Sequence, residues 1–213
     1  MVASQVHLVR HGEVHNPDGI LYGRIAGYHL SELGRRMAAV SAESMKNRAP
    51  ITRLIASPLQ RAQESAEPWA EAFGLKVETD ERLIEPFNRF EGKKFEFGPQ
   101  VLTRPATWPW VLNPFRPSWG EAYASIAKRM LAAIDDAWSG TEEGDVVLVS
   151  HQLPICMVQR SLDGRHLFHD PRHRRCSLSS ITTLGVRDSY FTEVDYQDPA
   201  AALAAQALDR GAV

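Results

Sequence analysis

The stretch Asp145–Ser150 (Asp-Val-Val-Leu-Val-Ser) constrains the fold of this chain more than any other. Four consecutive apolar residues, three of them β-branched, leave no polar position on either face of a strand. Both faces must then be covered, as in a parallel sheet flanked by helices. Residues 5–10 and 53–56 repeat the pattern in shorter form, and 75–79 supplies a fourth strand. Helical segments fall between them. The segment 32–48 follows Ser31 as N-cap and sets Leu33, Met37 and Val40 on one face. The segment 57–73 opens on Ser57-Pro58, carries Pro68 as a kink and closes at Gly74. Two more helices are expected over 120–138 and 153–162, and a hairpin over 177–186 and 190–195. The alternation predicts an α/β fold with a largely parallel central sheet and helices on both faces. One domain over 1–213 is expected, with 199–213 as a weak or frayed tail.

Composition excludes several classes. The formal charge is −2, so nothing demands a nucleic-acid partner. No apolar run approaches the length of a membrane span, and the N-terminus has neither a basic leader nor a long apolar run. Cys156 and Cys176 form no CxxC, so neither a disulfide framework nor a structural zinc is expected, and a cytoplasmic location is the default. Oligomeric state leaves no trace in the sequence.

Residues 87–123 stand apart. They hold nine of the eighteen aromatic residues and the prolines 99, 105, 109, 114 and 117, without helical or strand period. A long segment of this kind inside a compact domain is usually functional. It is expected to pack over a site as a lid, with Trp108, Trp110 and Trp119 against the substrate.

Three polar clusters directly follow expected strands: Arg10-His11-Gly12-Glu13, Ser57-Pro58-Leu59-Gln60-Arg61 and Ser150-His151. Ligands of open parallel sheets bind at the carboxyl ends of the strands, so the three can share one crevice. Two arginines, two histidines and helix N-termini there suit a phosphate.

These residues also carry a resemblance. Leu8-Val9-Arg10-His11-Gly12-Glu13, Leu30-Ser31-Glu32-Leu33-Gly34-Arg35, Ser57-Pro58-Leu59-Gln60-Arg61-Ala62 and Ser150-His151 resemble, in order, the motifs of the histidine phosphatase superfamily, the phosphoglycerate mutase-like family. The match spans about residues 5–185. The fold implied is phosphoglycerate mutase-like. The activity implied is that of a metal-independent phosphomonoesterase acting on a small phosphorylated metabolite, without cofactor, through a phosphohistidine on His11. Arg10, Arg61 and His151 would hold the phosphoryl oxygens, with Asn16 as either a further contact or a plain turn residue. The Gly12 carbonyl would fix the His11 tautomer, and both arginines would keep the ring neutral. Leu83-Ile84-Glu85 and Phe90-Glu91-Gly92 are similar to the family's acid segment. Glu85 would be the general acid, its pKa raised by burial and by neighbouring negative charge, with Glu91 as competitor or loop support. Glu13 would support the pocket, and Gln152, where the family commonly has glycine, would narrow it. His166, His169 and His173, among Arg165, Arg172, Arg174 and Arg175, read as a solvated basic loop or a secondary anion contact. A phosphoglycerate-type mutase and a non-catalytic phospholigand- or protein-binding module are the alternatives. The mutase is disfavoured because Glu85-Pro86-Phe87-Asn88 lacks the basic element such enzymes carry.

Overall fold

The computed structural model describes residues 2–48, 50–94 and 120–207. Along the chain run β1 (Val6–Arg10), α1 (Glu32–Met45), β2 (Ile51–Ala56), α2 (Gln60–Phe73) and β3 (Val77–Thr79). There follow a 3-10 turn (Glu81–Leu83), α3 (Tyr123–Ser139), β4 (Asp145–Ser150), α4 (Gln152–Leu162), a second 3-10 turn (Pro171–His173), β5 (Ile181–Arg187), β6 (Tyr190–Gln197) and the short α5 (Ala201–Ala204). The strands form one sheet in the order β3-β2-β4-β1-β5-β6. β3, β2, β4 and β1 are parallel, β5 joins antiparallel to β1, and β6 pairs antiparallel with β5 to complete the sheet. The sheet is therefore mixed and mostly parallel, with the expected hairpin as its antiparallel border.

The two-residue period of the strands sorts their side chains between two cores. Val6, Leu8, Val146 and Leu148 pack with Ile126, Met130 and Ile134 of α3 and Ile155 and Met157 of α4. Val9, Leu54, Ala56, Val147 and Val149 pack on the opposite face with Ala42 and Met45 of α1 and Ala62, Ala66 and Trp69 of α2. All four residues from Val146 to Val149 are fully buried, each contributing about 1.5–3 kcal/mol. No helix among the described residues is long and apolar enough to cross a membrane.

The register aligns the carboxyl ends of three strands. Arg10 pairs with Ser150, and Ala56 with Val149. The adjacent parallel strands β2, β4 and β1 thus end in step, and their next residues are Ser57, His151 and His11. The loop after β1 is fixed by two glycines. A Cβ on Gly12 would collide with the Gly34 carbonyl, and one on Gly34 with the backbone of Glu13. The first turn of α1 can therefore lie directly against the Arg10-to-Glu13 loop. Ser31 caps that helix through Gly34 N–H (2.9 Å) and also donates to the Glu13 carboxylate.

Several boundaries differ from those expected of the sequence. Helix α2 begins at Gln60, with Leu59 as its cap, so neither Ser57 nor Pro58 opens it. The helix runs on through Pro68 to Gly74, whose φ of 66° ends it. Leu75 still bonds back to Ala70, so β3 starts two residues later than expected. Strand β5 begins at Ile181 because 177–180 forms a turn, with Ser179 at φ 57°. The turn is held against the loop after β1 by Ser179 N–H to His11 O (3.3 Å) and Arg10 N–H to Ser180 O (3.2 Å). Gly120 precedes α3 and forms a bridge with Asn88, bringing the two flanks of the aromatic segment together. Trp108, Trp110 and Trp119 lie outside the described residues.

Candidate active site

His11 sits at the end of β1, buried, with its backbone N–H on Ser150 O (3.1 Å). Its Nδ1 lies 2.7 Å from Gly12 O. A carbonyl only accepts, so Nδ1 carries the proton and Nε2 the lone pair. Burial first, then Arg61 and Arg10, hold the ring well below the usual histidine pKa. Arg10 is anchored by Nη1 to Cys176 O (2.7 Å). Arg61 comes from the first turn of α2. Its Nη2 donates to Gly23 O (2.8 Å), its guanidinium lies 4.8 Å over the Tyr22 ring, and its buried Nε has no hydrogen-bond partner among the described residues. Ser65, four residues on along α2, accepts from Gly12 N–H (3.1 Å) and donates to Arg61 O (2.7 Å), tying the two loops together.

The His151 ring centroid is 5.1 Å from that of His11, with the planes inclined at 59°. His151 Nε2 is 2.8 Å from Ser57 Oγ, and its Nδ1 is 3.5 Å from Glu85 Oε2. Burial, then Arg61, His11, Arg129 and Arg10, hold His151 well below its usual pKa. The contact with Glu85 is therefore not an ion pair with an imidazolium. It is a long polar approach, and His151 Nδ1 has no hydrogen-bond partner among the described residues.

Glu85 is 2 % exposed and its Oε1 has no hydrogen-bond partner among the described residues. Burial pushes its pKa up to about 7, against Arg61, Arg174, Arg10 and Arg129. The neighbouring negative charge expected from the sequence is not the cause. The surroundings are instead cationic, and desolvation alone raises the pKa. The backbone around Glu85 is fixed from three sides. Ser150 Oγ donates to Leu83 O (2.7 Å), Arg129 to Arg82 O (2.5 Å) and Arg24 to Glu85 O (2.5 Å). Glu121 in turn holds Arg129 by two hydrogen bonds (2.9 and 3.0 Å).

Glu91 faces its own loop. Its Oε1 accepts from Asn88 N–H (3.0 Å) and lies against Gly23. Asn16 places both ends of its carboxamide on the Ile20 backbone (2.9 and 3.0 Å), the geometry of a turn. Gln152 begins α4 and accepts from Arg174 (3.2 Å). The basic loop is only partly solvated. His166 and His173 are exposed, but His169 packs against Tyr123, bonds Leu167 O through Nδ1 (2.8 Å) and meets Arg174 Nε through Nε2 (2.8 Å). Burial lowers its pKa to about 4. Among the described residues no group of three His, Cys, Asp or Glu is arranged to hold a metal ion.

The site also contains residues that sequence reasoning misses or places in another role. Ser57 has the signature of a helix cap because a proline follows it, whereas it holds His151. Ser65 lies four residues after Arg61 on one helix face, a spacing that could have pointed to it. Tyr22 and Arg24 come from a loop whose path no periodicity reveals, and Arg174, expected only in the basic loop, also acts on Glu85.

The chain is similar to known proteins along most of its length. The profile of the histidine phosphatase superfamily (branch 1) matches residues 6–199. The uncharacterized protein Rv0525 of Mycobacterium tuberculosis is 50% identical over 198 residues, covering 93% of this chain and 98% of that protein. A probable phosphoglycerate mutase, GpmB of Yersinia enterocolitica, is 33% identical over 83% of this chain and 84% of its own. The solved structure of the mycobacterial glucosyl-3-phosphoglycerate phosphatase Rv2419c superposes with a TM-score of 0.68 at 25% identity, over 91% of this chain and 96% of that one.

Proposed function

Because the chain belongs to the histidine phosphatase superfamily, we propose that it is a metal-independent phosphomonoesterase that cleaves a small phosphorylated metabolite through a phosphohistidine on His11. The observation that carries this reading is the state of His11: a buried, neutral imidazole with its proton directed to Gly12 O, under the influence of Arg61 and Arg10. The Nε2 lone pair would attack phosphorus in line, forming an N–P bond as the ester O–P bond breaks. Arg10, Arg61 and neutral His151 would donate to the equatorial oxygens, where charge accumulates. Glu85, protonated, would give its proton to the departing alkoxide. As a carboxylate it would then take a proton from the water that breaks the N–P bond. A pKa of about 7 suits both halves of that cycle. The substrate class draws on the mycobacterial phosphatase above, whose name gives glucosyl-3-phosphoglycerate as what it acts on.

The likeness to a probable mutase favours a second reading, in which the phosphoryl group returns to an organic hydroxyl instead of water. Rapid quench in base with 32P-labelled substrate tests both. The first reading expects acid-labile label on His11 and release of inorganic phosphate. Label without phosphate release, with transfer to an added alcohol, would establish the mutase. His11→Ala that retains label and turnover would overturn both.

A further inference from the structure

Away from His11, a cavity of about 300 Å³ opens along the side of α4. Arg160, Arg165, Arg174 and Arg175 line it together with His173 and Asp163. We propose that this cavity is a second anion site, taking a phosphate-bearing group with two or more negative charges.

The guanidinium groups arrive from three stretches of backbone, and those of Arg160 and Arg174 have neutral partners. Arg160 donates to His166 O (2.6 Å) and Phe168 O (3.3 Å). Arg174 is held by Gln152 and His169. Arg175 stacks 4.6 Å over Tyr196 and pairs with Glu193. Among the described residues, Asp163 lines the cavity and Glu193 pairs with Arg175, so four guanidinium groups face two carboxylates, an excess of two positive charges. Like charges gathered at one concavity repel one another unless an anion joins them. Arg160, fixed by two backbone carbonyls, holds its guanidinium in a set direction, the preorganisation that multidentate phosphate recognition uses. A singly charged carboxylate would leave one positive charge unanswered, so a group of two or more charges fits better. The cavity also communicates with the catalytic end of the sheet. Arg174 contacts Gln152, the residue after His151, and its charge is felt at Glu85.

The anion has two possible sources: a separate molecule, or a distal group on the substrate. Calorimetric titration of the full chain with inorganic pyrophosphate tests the site without reference to turnover. Two binding events are expected. Arg61→Ala should weaken the one at His11. Arg165→Glu should weaken the other by at least about tenfold, the scale of a lost charge-assisted hydrogen bond, and leave the first unchanged. Arg165 is an exposed residue, so its replacement should not disturb folding. Arg48→Glu, the same charge change at a remote exposed position, should leave both intact. A single event in wild type, two unaltered events in Arg165→Glu, or an equal loss in Arg48→Glu would overturn the proposal. The source is read from kcat/KM for hexyl phosphate and hexane-1,6-diyl bisphosphate. An advantage of the bisphosphate that Arg165→Glu abolishes assigns the anion to the substrate. Without such an advantage it is a separate molecule.

Discussion

Burial keeps the Glu85 carboxyl protonated up to about pH 7, and that position is costly to the fold. A carboxyl moved from 4.5 to about 7 binds its proton more tightly in the folded chain than in the unfolded one. Stability from this group is then undiminished below about pH 4.5, falls as pH rises toward 7, and levels off above. The full loss is about 3 kcal/mol. Glu85→Gln keeps the shape and removes the titration. Its thermal midpoint should exceed that of wild type at pH 8 and match it near pH 4, by differential scanning calorimetry. The same variant should lose about 10²–10⁴-fold in kcat with alkyl phosphates, which need a proton on the leaving oxygen, and far less with nitrophenyl phosphate. If Glu91→Gln showed this leaving-group dependence instead, Glu91 would be the acid. Ser57 has a smaller but separable part. Ser57→Ala removes the partner of His151 Nε2, worth about 1 kcal/mol, and should reduce kcat about three- to tenfold with little change in thermal midpoint. A change in KM alone would mean that His151 needs no such orientation.

At the level of elements, α1 shows how a helix start shapes the loop that carries His11. Gly34 is needed because the backbone of Glu13 occupies the place of a Cβ. Gly34→Ala should destabilise the protein by about 1–3 kcal/mol, read from the urea midpoint, since neither backbone can yield without moving the other. Activity should fall with it, because displacing Glu13 also displaces His11. A Gly34→Ala protein of wild-type stability and rate would show that the loop adapts. Much of this level is legible in the sequence. Four apolar residues mark β4, Ser31 marks the start of α1 and Gly74 the end of α2, because these signals act within a few residues. The three polar clusters can be placed at one edge because strand ends are local and a parallel sheet brings them together. Ser57 misleads because its function depends on His151, far away in sequence. The same holds for Arg174 and for the turn at Ser179, whose partners are set only by tertiary packing. Glu85 is legible as a candidate acid and burial as a cause of its raised pKa, but the cationic surroundings that oppose the rise are not, since the sequence does not show four arginines converging on one carboxyl.

On the scale of the whole molecule, His11 and His151 directly follow the most deeply buried strands. β4 and β1 lie at the middle of the sheet, with a core on either face, while β6 lies at a border with several exposed side chains. Amide hydrogen exchange should therefore be slowest in peptides covering Val6–Arg10 and Asp145–Ser150 and much faster in Tyr190–Gln197. Adding vanadate, which would occupy the phosphoryl position, should slow exchange together in the segments after β1, β2 and β4. Slowing in only one of them would mean that the three clusters do not serve one ligand.

The pairing of Arg10 with Ser150 has a further consequence, for how such a chain can change its length. One residue added or removed between Val6 and Gly12 would turn every later side chain of β1 to the other face. Leu8 would exchange cores with Val9, and His11 would leave its place beside His151. The loop from 15 to 29 carries no such phase, and extra residues there would cost little more than their own closure. Insertions and deletions that preserve the site are thus confined to the connections. A variant with a single alanine inserted after Val6 should fail to fold, whereas the same insertion after Asp18 should leave a folded, active protein.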